Sequence, residues 1–287
     1  MRYLLADVFT DAPFAGNQLA VFPDAIGLDG RQMQAIAREL NIAETSFVTP
    51  GSEPGKFAVR IFTPARELPF AGHPTIGTAI MLKHLGRTEG LAEITLEEGV
   101  GPVRVVLGDA GATLFMDGPA EQRPHTLMPV VFADALGLKR DRLVGAPWQA
   151  GYGTPFLFVH VESREDVASA MLVAERWHGF TDTLWANRAV YVFAVVGAEA
   201  TTLELHARMF APGMGITEDP ATGSAAAALA GSFDTNATHL IINQGEEMGR
   251  PSTIFAEIRR DAEYAVTRVA IYGEATVIAD GNFLQLP

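Results

Sequence analysis

The chain has no cysteine. That absence excludes a thiol nucleophile, a disulfide framework, an iron–sulfur cluster and any zinc site built on thiolates. Long apolar runs are missing too. Nothing approaches the roughly 20 apolar residues of a membrane-spanning helix, and the richest run, Ala225 to Ala230, is short and made of small side chains. The N-terminus carries Arg2 but reaches Asp7 almost at once, so it does not read as a signal peptide. A cytoplasmic location without a membrane partner is the expectation. Basic residues are the scarcer charge, 21 Lys and Arg against 34 Asp and Glu, for a net charge of −13. Phosphate backbones need clustered Lys and Arg, so nucleic acid is not an expected partner. Scattered acidic residues read as an ordinary solubilising surface. There is no HExxH and no GxxxxGK[ST]. Gly151-Tyr152-Gly153 lacks the third glycine of a dinucleotide fingerprint, and Ser224 stands in TGSAA rather than GxSxG. Neither a metal site nor a cofactor is expected.

What the chain does have is one pattern written twice. Arg60 to Ala79 contains RIFTP and then HPTIGTA; Arg208 to Ala225 contains RMFAP and then DPATGSA. Each copy passes through a polar residue plus proline (His73-Pro74, Asp219-Pro220) into glycine, a hydroxyl residue and alanine (Gly77-Thr78-Ala79, Gly223-Ser224-Ala225). Repetition at half-chain spacing implies two similar domains rather than a short-period solenoid, and 287 residues is about twice a typical domain. The polar residues at the matching turns differ, histidine in one copy and aspartate in the other. Such halves suggest one active site between them, supplied from both sides.

Periodicity predicts short strands broken by a few helices. In the first half, strands are expected at Tyr3 to Phe9, Gln18 to Phe22, Ser46 to Val48, Phe57 to Phe62, Ile94 to Leu96, Val103 to Leu107 and Thr113 to Met116. Helices are expected from Asp29 to Leu40 and from Thr75 to Leu85. Pro119 to Pro129 reads as the linker, which places domains at 1–120 and 121–287, with a C-terminal strand available for exchange into the first. In the second half, a Gly-Tyr-Gly-Thr-Pro loop precedes a strand at Phe156 to Val161. Helices follow at Glu165 to Trp177 and Ser224 to Leu229, with separate late strands at Tyr264 to Tyr272 and Ala275 to Ile278. The second helix of each half is apolar nearly all round and belongs inside a sheet. The fold class expected is α+β: two pseudo-symmetric domains, each a curved, mostly antiparallel sheet or barrel wrapped round a central helix.

Each central helix starts beside its polar turn, where first-turn N–H groups are unpaired and the dipole is positive. Gly72, Gly77 and Gly223 would let a ligand approach the backbone, and two such helix starts would bind a carboxylate. The plainer reading has Thr75 and Ser224 capping or lying in the first turn. Glu44, entering an apolar strand in NIAETSFV, is either solvated or held in a partly dry cleft as a general acid/base. His73, fixed in a turn by Gly72 and Pro74, is a site residue or a satisfied core histidine. Asp219 is a site residue or an N-cap, and Asn17 with Gln18 either bonds a ligand or shapes a loop.

DVFTDAPFAGNQLAVF (7–22), NIAETSFV (41–48), ELPFAGHPTIGTA (67–79), GITEDPATGSA (215–225) and GRPS (249–252) resemble the PhzF-like proteins of phenazine biosynthesis, of diaminopimelate epimerase-like fold. The resemblance runs along essentially the whole chain; Gln18 departs from it, since the family usually has proline after Gly-Asn. It implies Glu44 as the acid/base, His73, Asp219 and Ser224 in the same pocket, and a homodimer. The epimerases of this fold use two opposed cysteines, which this chain lacks. The expected activity is a cofactor-independent isomerisation of a small carboxylate. Glu44 moves the proton, His73 and Asp219 orient substrate or relay protons, and Asn17, Gly72, Thr75, Gly223 and Ser224 bind it. A hydrolase with Ser224 as nucleophile and a non-catalytic metabolite-binding protein are the alternatives.

Overall fold

Short segments rich in β-branched and aromatic residues, bounded by glycine turns, fold as strands throughout the chain. The computed structural model describes all residues from Met1 to Pro287. In chain order the elements are β1 (Arg2–Val8), β2 (Asn17–Phe22), α1 (Gly30–Leu40), β3 (Glu44–Pro50), β4 (Lys56–Phe62), β5 (Glu67–Leu68), α2 (Gly72–His84), β6 (Glu93–Glu98), β7 (Gly101–Leu107), β8 (Gly111–Asp117) and β9 (Glu121–Arg123). There follow α3 (Pro129–Ala135), β10 (Trp148–Tyr152), β11 (Thr154–His160), α4 (Arg164–Ser169), α5 (Ala174–His178), β12 (Val190–Glu199) and β13 (Thr202–Ala211). The chain ends with β14 (Ile216–Asp219), α6 (Gly223–Ala230), β15 (His239–Gln244), β16 (Ser252–Arg260) and β17 (Val266–Asn282). The chain forms two compact units, residues 1–115 with 272–287, and residues 116–271. No helix is long and apolar enough to cross a membrane.

In the first unit, β17 pairs antiparallel with β1, and β1 with β2. β2 and β3 are parallel, β3 and β4 antiparallel, β4 and β6 parallel. β6–β7 and β7–β8 are antiparallel, and β8 returns to β17, which closes the barrel. α2 packs against β1, β2, β3, β6 and β7 and is buried on all sides from Gly72 to Ala79. A Cβ on Gly77 would stand 2.6 Å from Leu19 and 2.7 Å from Val8. Read in the sequence as an opening for a ligand, Gly77 instead lets the helix meet the barrel wall. α1 lies outside, capped by Asp29 and Gln32, with Met33, Ile36 and Ala37 against Phe22, Phe47 and Phe62.

The second unit repeats the pairing order. β10–β11 is antiparallel, β11–β12 parallel, β12–β13 antiparallel, β13–β15 parallel and β15–β16 antiparallel. β5 on β4 and β14 on β13 are matching short antiparallel strands. α6, in which five of eight residues are alanine, packs against β10, β11 and β16. The repeated Arg and Phe do the same thing twice. Arg60 forms two hydrogen bonds to Glu67, both 2.7 Å, and lies over Phe62; Arg208 forms two to Glu218, 2.7 and 2.9 Å, and lies over Phe210. Each pair fastens the short strand that leads to its central helix.

Some local expectations differ. The helix expected from Glu165 to Trp177 is α4 and α5, broken where the Met171 and Val173 N–H groups bond the Leu136 and Ala135 carbonyls. Gly151-Tyr152 belongs to β10 rather than to a loop, and the two late strands are one continuous β17.

Candidate active site

α2 begins at Gly72, so His73 lies in its first turn rather than in a preceding turn. Its imidazole is buried, and burial pushes it down to about 3, against the weaker pull of the Gln18 carbonyl. It is therefore neutral. The Asn17 amide nitrogen lies 3.3 Å from Nδ1. His73 Nε2 lies 3.1 Å from Glu44 Oε2. Glu44 opens β3 opposite Leu19 in the parallel pairing, and its side chain is only 9% exposed. Thus Asn17 from β2, Glu44 from β3 and His73 from α2 form one buried chain. The loop that delivers Asn17 is tightly built. Phe14 (φ 63°) donates its N–H to the buried Asp7 carboxylate at 2.7 Å, and a Cβ on Gly16 (φ 62°) would stand 2.4 Å from the Val8 carbonyl.

Thr75 is buried in the same turn as His73. Its N–H bonds the Ala71 carbonyl at 3.2 Å, and its hydroxyl lies 2.8 Å from that carbonyl and 2.7 Å from Glu98 Oε1. The open first-turn donors of α2 are those of Gly72 and His73, because Pro74 has none.

In the second unit, Asp219 ends β14 and accepts the Thr222 hydroxyl at 2.6 Å. Thr222, not Asp219, is the N-cap residue of α6. Gln244 holds this turn. It donates to the Asp219 carbonyl at 2.7 Å and to Thr222 Oγ1 at 3.1 Å, and accepts the Thr222 N–H at 3.2 Å and the Tyr191 hydroxyl at 3.0 Å. Burial raises the Tyr191 phenol, keeping it a donor. Gly245 (φ 82°) follows; a Cβ there would stand 2.5 Å from the Pro220 carbonyl. Gly223 is buried and Ser224 half-buried in the first turn of α6. The sequence reading missed Thr222, Tyr191, Gln244 and Glu98. Gln244-Gly245, just ahead of GRPS, was the available signal for one of them.

A family model described as phenazine biosynthesis-like protein matches residues 6–281. The chain belongs to this family. Across 98% of both chains it is 39% identical to an uncharacterized isomerase of Mesorhizobium japonicum. Across 98% of both it is 34% identical to trans-2,3-dihydro-3-hydroxyanthranilate isomerase of Pseudomonas aeruginosa. A PhzF-family phenazine biosynthesis protein of Bacillus anthracis, known from its crystal structure, matches with a TM-score of 0.87 over 99% of both chains at 23% identity, a likeness of fold. As a member of the phenazine biosynthesis-like family with full-length isomerase relatives, the chain is an isomerase. The hydrolase and the non-catalytic binding protein are set aside by that membership.

Proposed function

We propose that this isomerase moves a proton on a small carboxylate without a cofactor, with Glu44 as the single acid/base. The supporting observation is the buried contact between Glu44 and a neutral His73 that also meets Asn17. A carboxylate beside a neutral imidazole is oriented without being locked into an ion pair. Glu44 takes the proton from a carbon adjoining the conjugated system. The electron pair delocalises toward the substrate carboxylate, and Glu44 returns the proton to another carbon on the same face. Charge and atoms balance with no redox partner. Gly72 and His73 N–H groups at the start of α2 supply donors for the substrate carboxylate. The substrate class is a cyclic diene carboxylate of the kind named for the Pseudomonas aeruginosa relative.

The test is turnover of trans-2,3-dihydro-3-hydroxyanthranilate and related diene acids in deuterium oxide, followed by mass spectrometry. Glu44→Gln should lose about 10²–10⁴-fold in rate and still bind the acid by calorimetry. Equal rates in both proteins would remove Glu44 from the mechanism.

A further inference from the structure

Glu98 ends β6 with its side chain buried, and nothing in the proposed proton transfer uses it. Its neighbour Thr75 poses a counting problem. One hydroxyl proton faces two oxygens, the Ala71 carbonyl at 2.8 Å and Glu98 Oε1 at 2.7 Å. A hydroxyl donates once, and a carbonyl never donates. Both contacts are satisfied together only if Glu98 carries a proton and donates to Thr75, which then donates to Ala71. The other oxygen, Oε2, is buried and has no hydrogen-bond partner. That suits the carbonyl of a neutral acid and would be costly for a carboxylate.

Ala71 is the N-cap residue of α2 and has no side chain to cap with. The relay from Glu98 through Thr75 therefore takes over the fastening of this first turn, which carries Gly72 and His73. We propose that Glu98 is a positioning residue of the acid/base site, acting through Thr75 on the first turn of α2 and so on the His73 ring. This rests on the reading of Glu44 and His73 given above.

The surroundings agree. Burial pushes Glu98 up to about 8, against the Thr75 hydrogen bond. The charged groups around it offer no cation to hold an anion. On β4, Arg60 is taken by both oxygens of Glu67 from β5. On β7, Arg104 is bonded to Glu93, and Glu97, its neighbour on β6, supplies no cation. On α2, His73 is neutral. Glu98 also borders a cavity of about 520 Å³, which gives it a route to exchange protons with solvent. Once Glu98 ionises it can no longer donate. Thr75 must then abandon either Ala71 or the new anion, and the turn beneath His73 loosens.

The experiment follows the His73 ring nitrogens by NMR, and kcat for trans-2,3-dihydro-3-hydroxyanthranilate, as pH is raised through about 8. In the wild type the ring signals should shift, and kcat should fall, with that shared midpoint. In Glu98→Gln the amide still donates to Thr75 but cannot ionise. Ring signals should stay fixed, and the alkaline fall in kcat should vanish. Glu98→Leu removes the donor and should lose roughly tenfold in kcat at neutral pH with little change in KM. Ring signals that ignore pH in the wild type, or that titrate unchanged in Glu98→Gln, overturn the proposal. If no protein turns over the diene acid, the proposed substrate fails alone, because the ring titration still decides whether Glu98 acts on His73.

Discussion

His73 and Glu98 are both buried in the first unit, and burial drives their protonation in opposite directions. The His73 imidazole is pushed down to about 3 from 6.5. Between those values the unfolded chain binds more protons, so this contribution to stability is lost as pH falls through the window. Glu98 is pushed up to about 8 from 4.5. Here the folded chain binds more protons, so stability is present below the lower value and lost as pH rises through the upper one. Where the windows overlap the two slopes oppose, and the wild type hides both. Glu98→Gln should unmask them. Between pH 4.5 and about 8 its stability relative to wild type should rise by up to about 1.4 kcal/mol for each pH unit. Urea denaturation across that range measures the difference, and a flat difference would place Glu98 near its ordinary carboxylate range. Glu44 and His73 were legible in the sequence because each stands in a motif. Glu98 was not. Glu97-Glu98 ahead of glycine reads as a solvated pair at a strand end. Its burial depends on Gly99 packing on Pro69, where a Cβ would stand 2.8 Å from the Pro69 Cα.

The repeated arginine is one sequence device in two environments. Arg60 and Glu67 have side chains 43% exposed, so water screens them and the pair is worth little. Arg208 and Glu218 are 10% and 15% exposed. Arg208 also donates to the carbonyls of Val167, Ala168 and Ala170 at 2.8 to 3.3 Å, closing the C-terminal end of α4. Removing Arg208 strands a mostly buried carboxylate and three carbonyls together. Arg208→Met should therefore cost about 3 kcal/mol or more, and Arg60→Met no more than about 1 kcal/mol, in equilibrium denaturation. Equal costs would mean that burial does not set the strength of these pairs. Sequence reading found both copies because the residue pattern repeats, but it could not rank them, since burial comes from α4 packing over one copy only. The same element α4 was misjudged in length. Apolar residues at helical spacing run from Val167 to Trp177, yet backbone bonds from Met171 and Val173 to the end of α3 draw the middle out of the helix.

At the scale of the molecule, β17 ties the last residues to the first. Two late strands were expected, Tyr264 to Tyr272 and Ala275 to Ile278, with Gly273 between them. Instead Gly273 lies flat under the Phe9 ring, where a Cβ would stand 2.3 Å from the ring edge, so glycine here permits close approach within a strand. Beyond it, β17 pairs with β1 from Val8↔Ala275 to Arg2↔Asn282, and Phe283 packs on Tyr3 and Phe22. A chain ending at Ile271 would leave the first-unit barrel without one wall, with β1 and β8 as open edges. The three tryptophans, Trp148, Trp177 and Trp185, all lie in residues 116–271. Tryptophan fluorescence therefore reads the second unit alone. The truncated chain should keep native-like tryptophan emission while trypsin cuts rapidly within residues 1–115, and a synthetic peptide of residues 272–287 should restore resistance there. Protection of residues 1–115 without the peptide would show that the barrel closes without β17. Loss of native tryptophan emission would show that the second unit also depends on the strand's distal half.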